Sequence, residues 1–264
     1  GLCVPDGIGD KHPLAGRAWD LASRDDQLRV QMLLDYLDPV VIHASPPGSK
    51  LSCCAARRGQ RSFSEAGWQR AAALAEFCVE QISWRAEHGA AGSIESPKAS
   101  RVWKLPKVVG FFGKRDHPKP ARYFADPDLC QYEMKEPGSD DLFWRKSIVI
   151  AATYPEVEEL TLHCEKVEGK PLHQHVQIKG AVHVPDGPPA DRAKLSREYP
   201  LPLAVAWGRS IAKACFRVCS LTAAEWAAHE YEIAVSELHH VRTLACEAKS
   251  ERLDRGFAIW EPAT

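Results

Sequence analysis

The stretch Asp38-Pro39-Val40-Val41-Ile42-His43-Ala44-Ser45-Pro46-Pro47-Gly48 decides the fold class. Its first half is short, β-branched and bounded by turn residues, which reads as a buried strand. It stops in Ser45-Pro46-Pro47-Gly48, since consecutive prolines set a turn and cannot donate to a ladder. Upstream, Ser23 can cap a helix running to about Leu37, with Leu28, Met32, Leu33 and Tyr36 as its apolar stripe. Downstream, residues 49–61 are loop-like and basic, and Ser62 with Glu65 fits a capping box. That box opens an amphipathic helix with Trp68, Ala71, Ala72, Ala75, Cys78, Val79 and Ile82 on one face, and Gly89 lies just past its last turn. A second strand, around Ala91–Ile94, ends in Glu95-Ser96-Pro97. Helix–strand–helix–strand alternation predicts parallel pairing and a doubly wound α/β sheet.

Further strands are expected at Ala121–Phe124, Ser147–Ala152 and His173–Ile178, with a surface loop over Val184–Asp191. Two helices close the chain, at about 202–219 and 223–253. The second opens at a Thr222…Glu225 capping box and carries Trp226, Ile233, Ala234, Leu238, Val241 and Ala245 at helical spacing. This organisation predicts an α/β domain over residues 1–200 and a C-terminal helical extension over 201–264.

With 264 residues, 45% apolar and 26% charged, the composition is that of an ordinary globular protein. A formal net charge of −1 supplies no global field toward nucleic acid, so binding there needs a local basic patch. Arg57, Arg58 and Arg61 are the candidates, placed to contact phosphates; a solvated loop is the plainer reading. No apolar run approaches the roughly 20 residues of a membrane span, and the N-terminus lacks the regions of a signal peptide. Nine cysteines, an odd number on a chain far larger than a disulfide scaffold, favour reduced thiols in an intracellular setting, nuclear or cytoplasmic. No phosphate-binding Gly-rich loop with its lysine, no Gly-x-Ser-x-Gly elbow and no His-Glu-x-x-His occurs, which removes support for those enzyme classes.

Cys130, Cys164, His173 and His175 form a separate constellation. His173 and His175 are two apart and share a face if the segment is a strand. Two thiolates and two imidazoles suit a tetrahedral structural zinc, although the spacing is not that of a zinc finger; buried thiols beside surface histidines are the simpler alternative.

Several segments, in order, resemble cytosine-5 DNA methyltransferases. A strand ending in Ser-Pro-Pro resembles their active-site loop, in which the next residue is the nucleophilic cysteine; here it is Gly48. Ser93-Ile94-Glu95-Ser96-Pro97 is similar to the strand whose glutamate holds and protonates the flipped cytosine. Asp128-Leu129-Cys130-Gln131-Tyr132, followed by Arg145-Lys146-Ser147-Ile148-Val149, resembles a later turn that leads to basic residues and another strand. Trp19-Asp20-Leu21 matches the acidic residue that contacts the cofactor's adenine. The whole is closest to methyltransferase-like domains of retroelement-type polyproteins, which carry counterparts of Ser100-Arg101-Val102-Trp103, Cys164…His173-Gln174-His175 and Tyr199-Pro200.

The resemblance implies a class I methyltransferase-like fold. In it Glu95, Arg145 and Lys146 would line the base site, Asp20, Ser45 and Pro46 would contact S-adenosylmethionine, and the partners would be DNA and preceding polyprotein segments. The departures imply lost chemistry. Attack on carbon 6 of cytosine needs a thiolate, which Gly48 cannot supply. Cys53 or Cys54 could replace it only by folding back. The Gly-rich cofactor turn is reduced to Gly7-Ile8-Gly9, with no apolar strand before it, so the sheet is expected to be truncated at its N-terminal side. Glu133 stands where the family has a glycine after the tyrosine, and would be strained in any turn needing positive φ. The expectation is a non-catalytic methyltransferase-like domain with weak nucleic-acid contact. The alternatives are an active enzyme using Cys53 or Cys54, or an interaction module docking through its C-terminal helix.

Overall fold

The computed structural model of the protein describes residues 20–46, 51, 65–167, 169–184, 187–196 and 198–219. Gly48, Cys53, Cys54, Arg57, Arg58, Arg61, the Gly7-Ile8-Gly9 turn and the helix expected at 223–253 lie outside them.

Helix α1 (Arg24–Leu37) leads into strand β1 (Val41–Ala44), and helix α2 (Glu65–Glu87) into strand β2 (Ala91–Pro97). Arg85, at the end of α2, donates to Asp38 Oδ1 at 2.6 Å and to the Pro39 carbonyl at 2.7 Å, which fixes the turn before β1. Gly89 stops α2 at φ 84°. β1 and β2 are parallel, in register Val41 to Ala91 through Ala44 to Ile94, as a strand–helix–strand unit requires.

Beyond β2 come a 3-10 turn (Arg101–Lys104), helix α3 (Pro106–Phe112), the hairpin β3 (Gly113–Lys114) and β4 (His117–Pro118), and strand β5 (Tyr123–Ala125). A 3-10 turn at Leu129–Tyr132, strand β6 (Leu142–Trp144) and strand β7 (Ile148–Ala152) follow. The main sheet has the order β1-β2-β7-β5, and β7 runs antiparallel to both neighbours. The sheet is therefore mixed, and the fully parallel pairing expected from sequence holds only for β1 with β2. The reason is the connection: residues 126–147 contain no helix able to make a crossover, so the chain must return antiparallel.

Both faces of this sheet are covered, which is why β2 and β7 are buried along nearly their whole length. Ile82, Val79, Ala75 and Ala72 of α2 and Phe112 and Val108 of α3 pack against Ile94 and Ala151. The opposite face takes a 3-10 turn at Pro155–Leu160 and helix α4 (Leu201–Val218), through Val157, Leu160, Leu203, Trp207 and Ala214. Because α4 packs into this core, the compact unit runs to Val218. It takes in the first part of the segment assigned above to a C-terminal extension. Strands β8 (Lys166–Val167), β9 (Lys170–Pro171) and β10 (Gln174–Val176) lie between, with β10 pairing parallel to β6.

The stripe expected to bury α1 is not its packing face. Leu28, Met32 and Tyr36 are 43%, 70% and 85% exposed, while Asp26 and Val30 are buried. Asp26 goes inward because its carboxylate accepts the Asp20 N–H at 2.7 Å, tying down the chain before the helix. Ser23 sits at the N-cap with extended backbone, and its side chain makes no capping bond. Among the described residues no helix is long and apolar enough to cross a membrane.

Candidate functional site

Two polar clusters stand out. The first lies at the carboxyl ends of β1 and β2. In a strand alternate residues share a face, so Ser93 and Glu95 of β2 point to the α4 side, as do His43 and Ser45 of β1 and its end. Ser45 donates its hydroxyl to Glu95 Oε2 at 2.8 Å, and the Tyr199 side chain hydrogen-bonds the same carboxyl. Lys146, just before β7, adds its charge to this group, lies 5.4 Å from the Tyr199 ring centroid and donates to the Ser196 carbonyl. Burial pushes the Glu95 carboxyl above its ordinary value, against the hydrogen bonds from Tyr199 and Ser45 and the charge of Lys146. Burial also lowers Lys146 and raises Tyr199 well above an ordinary phenol.

Ser45, Glu95 and Lys146, singled out from sequence, thus converge from three distant segments. Arg145 does not join them: it is exposed, and its amide bonds the Val176 carbonyl at 3.1 Å, on the β10 side. Asp20 pairs with Arg70 of α2 at 2.6 Å, and Pro46 is buried. A continuation of the polar row went unread in the sequence. His43 Nδ1 lies 2.9 Å from Ser93 Oγ, which also accepts from the Tyr154 hydroxyl at 3.2 Å, and the His43 ring meets Trp207 edge-on at 4.6 Å. Its signal was the recurrence of polar residues at every second position of two otherwise apolar strands.

The second cluster is a candidate metal centre. The donor atoms of Cys130, Cys164, His173 and His175 all lie within 4.8 Å of one another. Cys164 Sγ is 3.7 Å from His173 Nε2 and 3.8 Å from His175 Nε2, and the two Nε2 atoms are 3.0 Å apart. A tetrahedral zinc with ordinary Zn–S and Zn–N bonds has S···N edges of about 3.6 Å and N···N edges of about 3.3 Å. Cys164, His173 and His175 are already within a few tenths of an ångström of that arrangement, and Cys130 lies within 4.8 Å of each. β10 brings the two histidines to one face, and the 3-10 turn at Leu129–Tyr132 presents Cys130. Asp128 supports the site from behind, accepting the Cys164 N–H at 2.9 Å and the Ser147 hydroxyl. Burial pushes the Cys130 thiol up to about 12, with Cys164 and Asp128 adding to it, and a cation among these donors reverses that penalty.

No family model, curated protein or solved structure matches this chain.

Proposed function

We propose that the chain is a non-catalytic, class I methyltransferase-like domain that binds nucleic acid. The observation that carries this reading is the convergence of Ser45, Glu95, Lys146 and Tyr199, whose segments the resemblance nominates. The sheet order supports it as well. A parallel pair, β1 and β2, extended by an antiparallel β7 is the arrangement of the later half of that fold class. A buried carboxyl whose surroundings raise its pKa, set beside two hydroxyls, places hydrogen-bonding groups side by side, which suits the edge of a nucleobase. Of the residues the resemblance assigns to S-adenosylmethionine, Asp20 pairs with Arg70 and Ser45 donates to Glu95. No methyl-transfer step is therefore assigned. Calorimetry with S-adenosylmethionine and a transfer assay on cytosine-containing DNA test this reading. Cofactor binding with turnover would overturn it in favour of an enzyme using Cys53 or Cys54.

The metal centre carries a second element of the proposal. Four protein donors within 4.8 Å of one another can fill a tetrahedral shell, so Cys130, Cys164, His173 and His175 would hold a structural zinc. Bound there, the metal supplies a cross-link between segments far apart in the chain. Metal analysis of the purified protein should return one zinc per chain, reduced below a tenth in Cys164→Ala; full retention in that variant would remove the site.

A further inference from the structure

Residues 98–122 hold eight Lys or Arg against a single Asp, a formal charge of +7, so the rest of a chain of net charge −1 carries −8. We infer that this segment is a docking surface for the phosphodiester backbone of nucleic acid, built on the 3-10 turn at Arg101–Lys104, helix α3 and the β3–β4 hairpin. The inference rests on the nucleic-acid reading above and names the surface that performs it, in place of Arg57, Arg58 and Arg61.

The cations are held in place by packed structure. Gly113 adopts φ 85°, and a Cβ there would come within 2.7 Å of the His117 carbonyl and the Lys119 amide, so the hairpin is closely built. Lys114 and His117 pair across it, and Arg115 stands at its tip. Arg115 reaches Asp126 Oδ2 at 3.3 Å, Lys98 reaches the same oxygen at 2.8 Å, and His163 lies 3.3 Å from the other. Three basic groups thus surround one carboxylate, and the hairpin tip is joined to the residue three positions after Glu95. The Arg122 guanidinium lies 4.1 Å from the Phe111 ring centroid, and Lys119 donates to the Gly110 carbonyl. Lys107 is paired with Glu80 and contributes least. Lys98, Lys104, Lys114, Arg115 and Lys119 are all exposed.

Phosphodiester fits this surface better than an anionic membrane does. None of the large exposed apolar side chains, Leu28, Met32, Tyr36, Leu37, Leu162, Leu172 and Leu201, falls within the segment, so it has no wedge to insert among acyl chains. Exposed cations at several points of one contiguous segment suit a polymer with a regular charge spacing, and such binding is salt-dependent and largely blind to sequence.

The test is fluorescence anisotropy on the full chain, with a labelled 20-base-pair DNA duplex and an RNA duplex of the same sequence, from 50 to 200 mM salt. Lys104→Glu/Lys114→Glu is compared with Lys179→Glu/Lys194→Glu, which changes net charge equally outside the segment, and far-UV circular dichroism verifies folding of both. The first pair should weaken binding at least tenfold and flatten the slope of log K against log salt by about two, at roughly 0.9 per phosphate contact. The second should stay within twofold of wild type. A preference for either duplex identifies the polymer. Equal losses in both pairs, or none in the first, overturn the surface. If wild type binds, the first pair binds like it and Arg57→Ala/Arg58→Ala/Arg61→Ala does not, the surface fails while the nucleic-acid reading stands. Absence of wild-type binding at 50 mM salt overturns both.

Discussion

The Ser45 hydroxyl donates to Glu95 Oε2 at 2.8 Å, joining the carboxyl ends of two parallel strands whose sequence positions differ by fifty. Glu95 is 3% exposed, and burial holds its proton more tightly than the unfolded chain does. Stability from this group is therefore full below the ordinary carboxylate range and is lost as pH rises through the raised value. Glu95→Gln cannot ionise. It should match wild type near pH 4 and exceed it near pH 8 in thermal denaturation. Parallel profiles for the two proteins would remove burial as the source of the shift.

Ser45→Ala and Tyr199→Phe each delete one hydrogen bond to Glu95 that favours its ionised form. Each should raise the Glu95 titration midpoint further, read by carboxyl-carbon NMR, and cost about 1 kcal/mol in urea denaturation. The double variant should cost less than the sum, because both bonds end on one carboxyl. Strict additivity would mean that the two hydroxyls act on different groups.

Asp128 holds the Cys164 amide and the Ser147 hydroxyl, so it orients the metal cluster without ligating. Outer partners of this kind are worth roughly 10–100-fold in metal affinity. Competition with a chromophoric chelator should show that loss in Asp128→Ala, with one zinc still bound at saturation. A variant that saturates at no zinc would instead make Asp128 part of the ligand set.

Glu133 lies at φ 63° and ψ 28° directly after the Leu129–Tyr132 turn, so the strain foreseen for a non-glycine residue there is present. The left-handed region costs such a residue roughly 1–2 kcal/mol, and glycine's extra freedom when unfolded offsets roughly 0.5–1 of that. Glu133→Gly should therefore gain about 0.5–1 kcal/mol in urea denaturation of the zinc-loaded protein. A loss would mean that the Glu133 side chain itself stabilises the turn.

What the sequence disclosed followed the length of each signal. β1 and β7 were legible as short β-branched runs and β2 from its place after the helix and its stop at Pro97, and α2 because Ala71, Ala75, Val79 and Ile82 repeat at helical spacing. α1 misled because its most regular apolar stripe is exposed, while Asp26 is buried for a hydrogen bond that no periodicity encodes. The antiparallel entry of β7 depends on what the chain between it and β5 cannot do, a property of the connection and not of either strand. The candidate metal donors were legible by chemistry alone. Their support from Asp128 was not, since an aspartate at a turn start is ordinary. The basic segment was overlooked because its lysines and arginines are spread over 25 positions and four elements, whereas Arg57, Arg58 and Arg61 stand together in sequence.

Three glycines, in α3, at its end and in β2, should respond to alanine in three different ways. At Gly113 the backbone lies where side chains are rarely accepted, φ 85° and ψ −167°, and the added Cβ would meet two backbone atoms at 2.7 Å. Neither atom can rotate away, so Gly113→Ala should cost at least about 2 kcal/mol and speed amide exchange at Lys119, whose N–H bonds the Phe112 carbonyl at 3.0 Å. At Gly92 the backbone is ordinary and the conflict is with the Ile82 side chain, Cγ2 at 2.7 Å. That methyl is buried in the core between α2 and the sheet and can shift only by disturbing its neighbours, so Gly92→Ala should cost about 1–3 kcal/mol with no local change in exchange at the hairpin. At Gly110, exposed within α3, a Cβ meets nothing within 4 Å. There alanine only removes the entropy glycine loses in a helix, and Gly110→Ala should gain about 0.5–1 kcal/mol. Urea denaturation of the three variants under one condition reads all three. A loss at Gly110 as large as that at Gly113 would mean that α3 and the hairpin are not built as described.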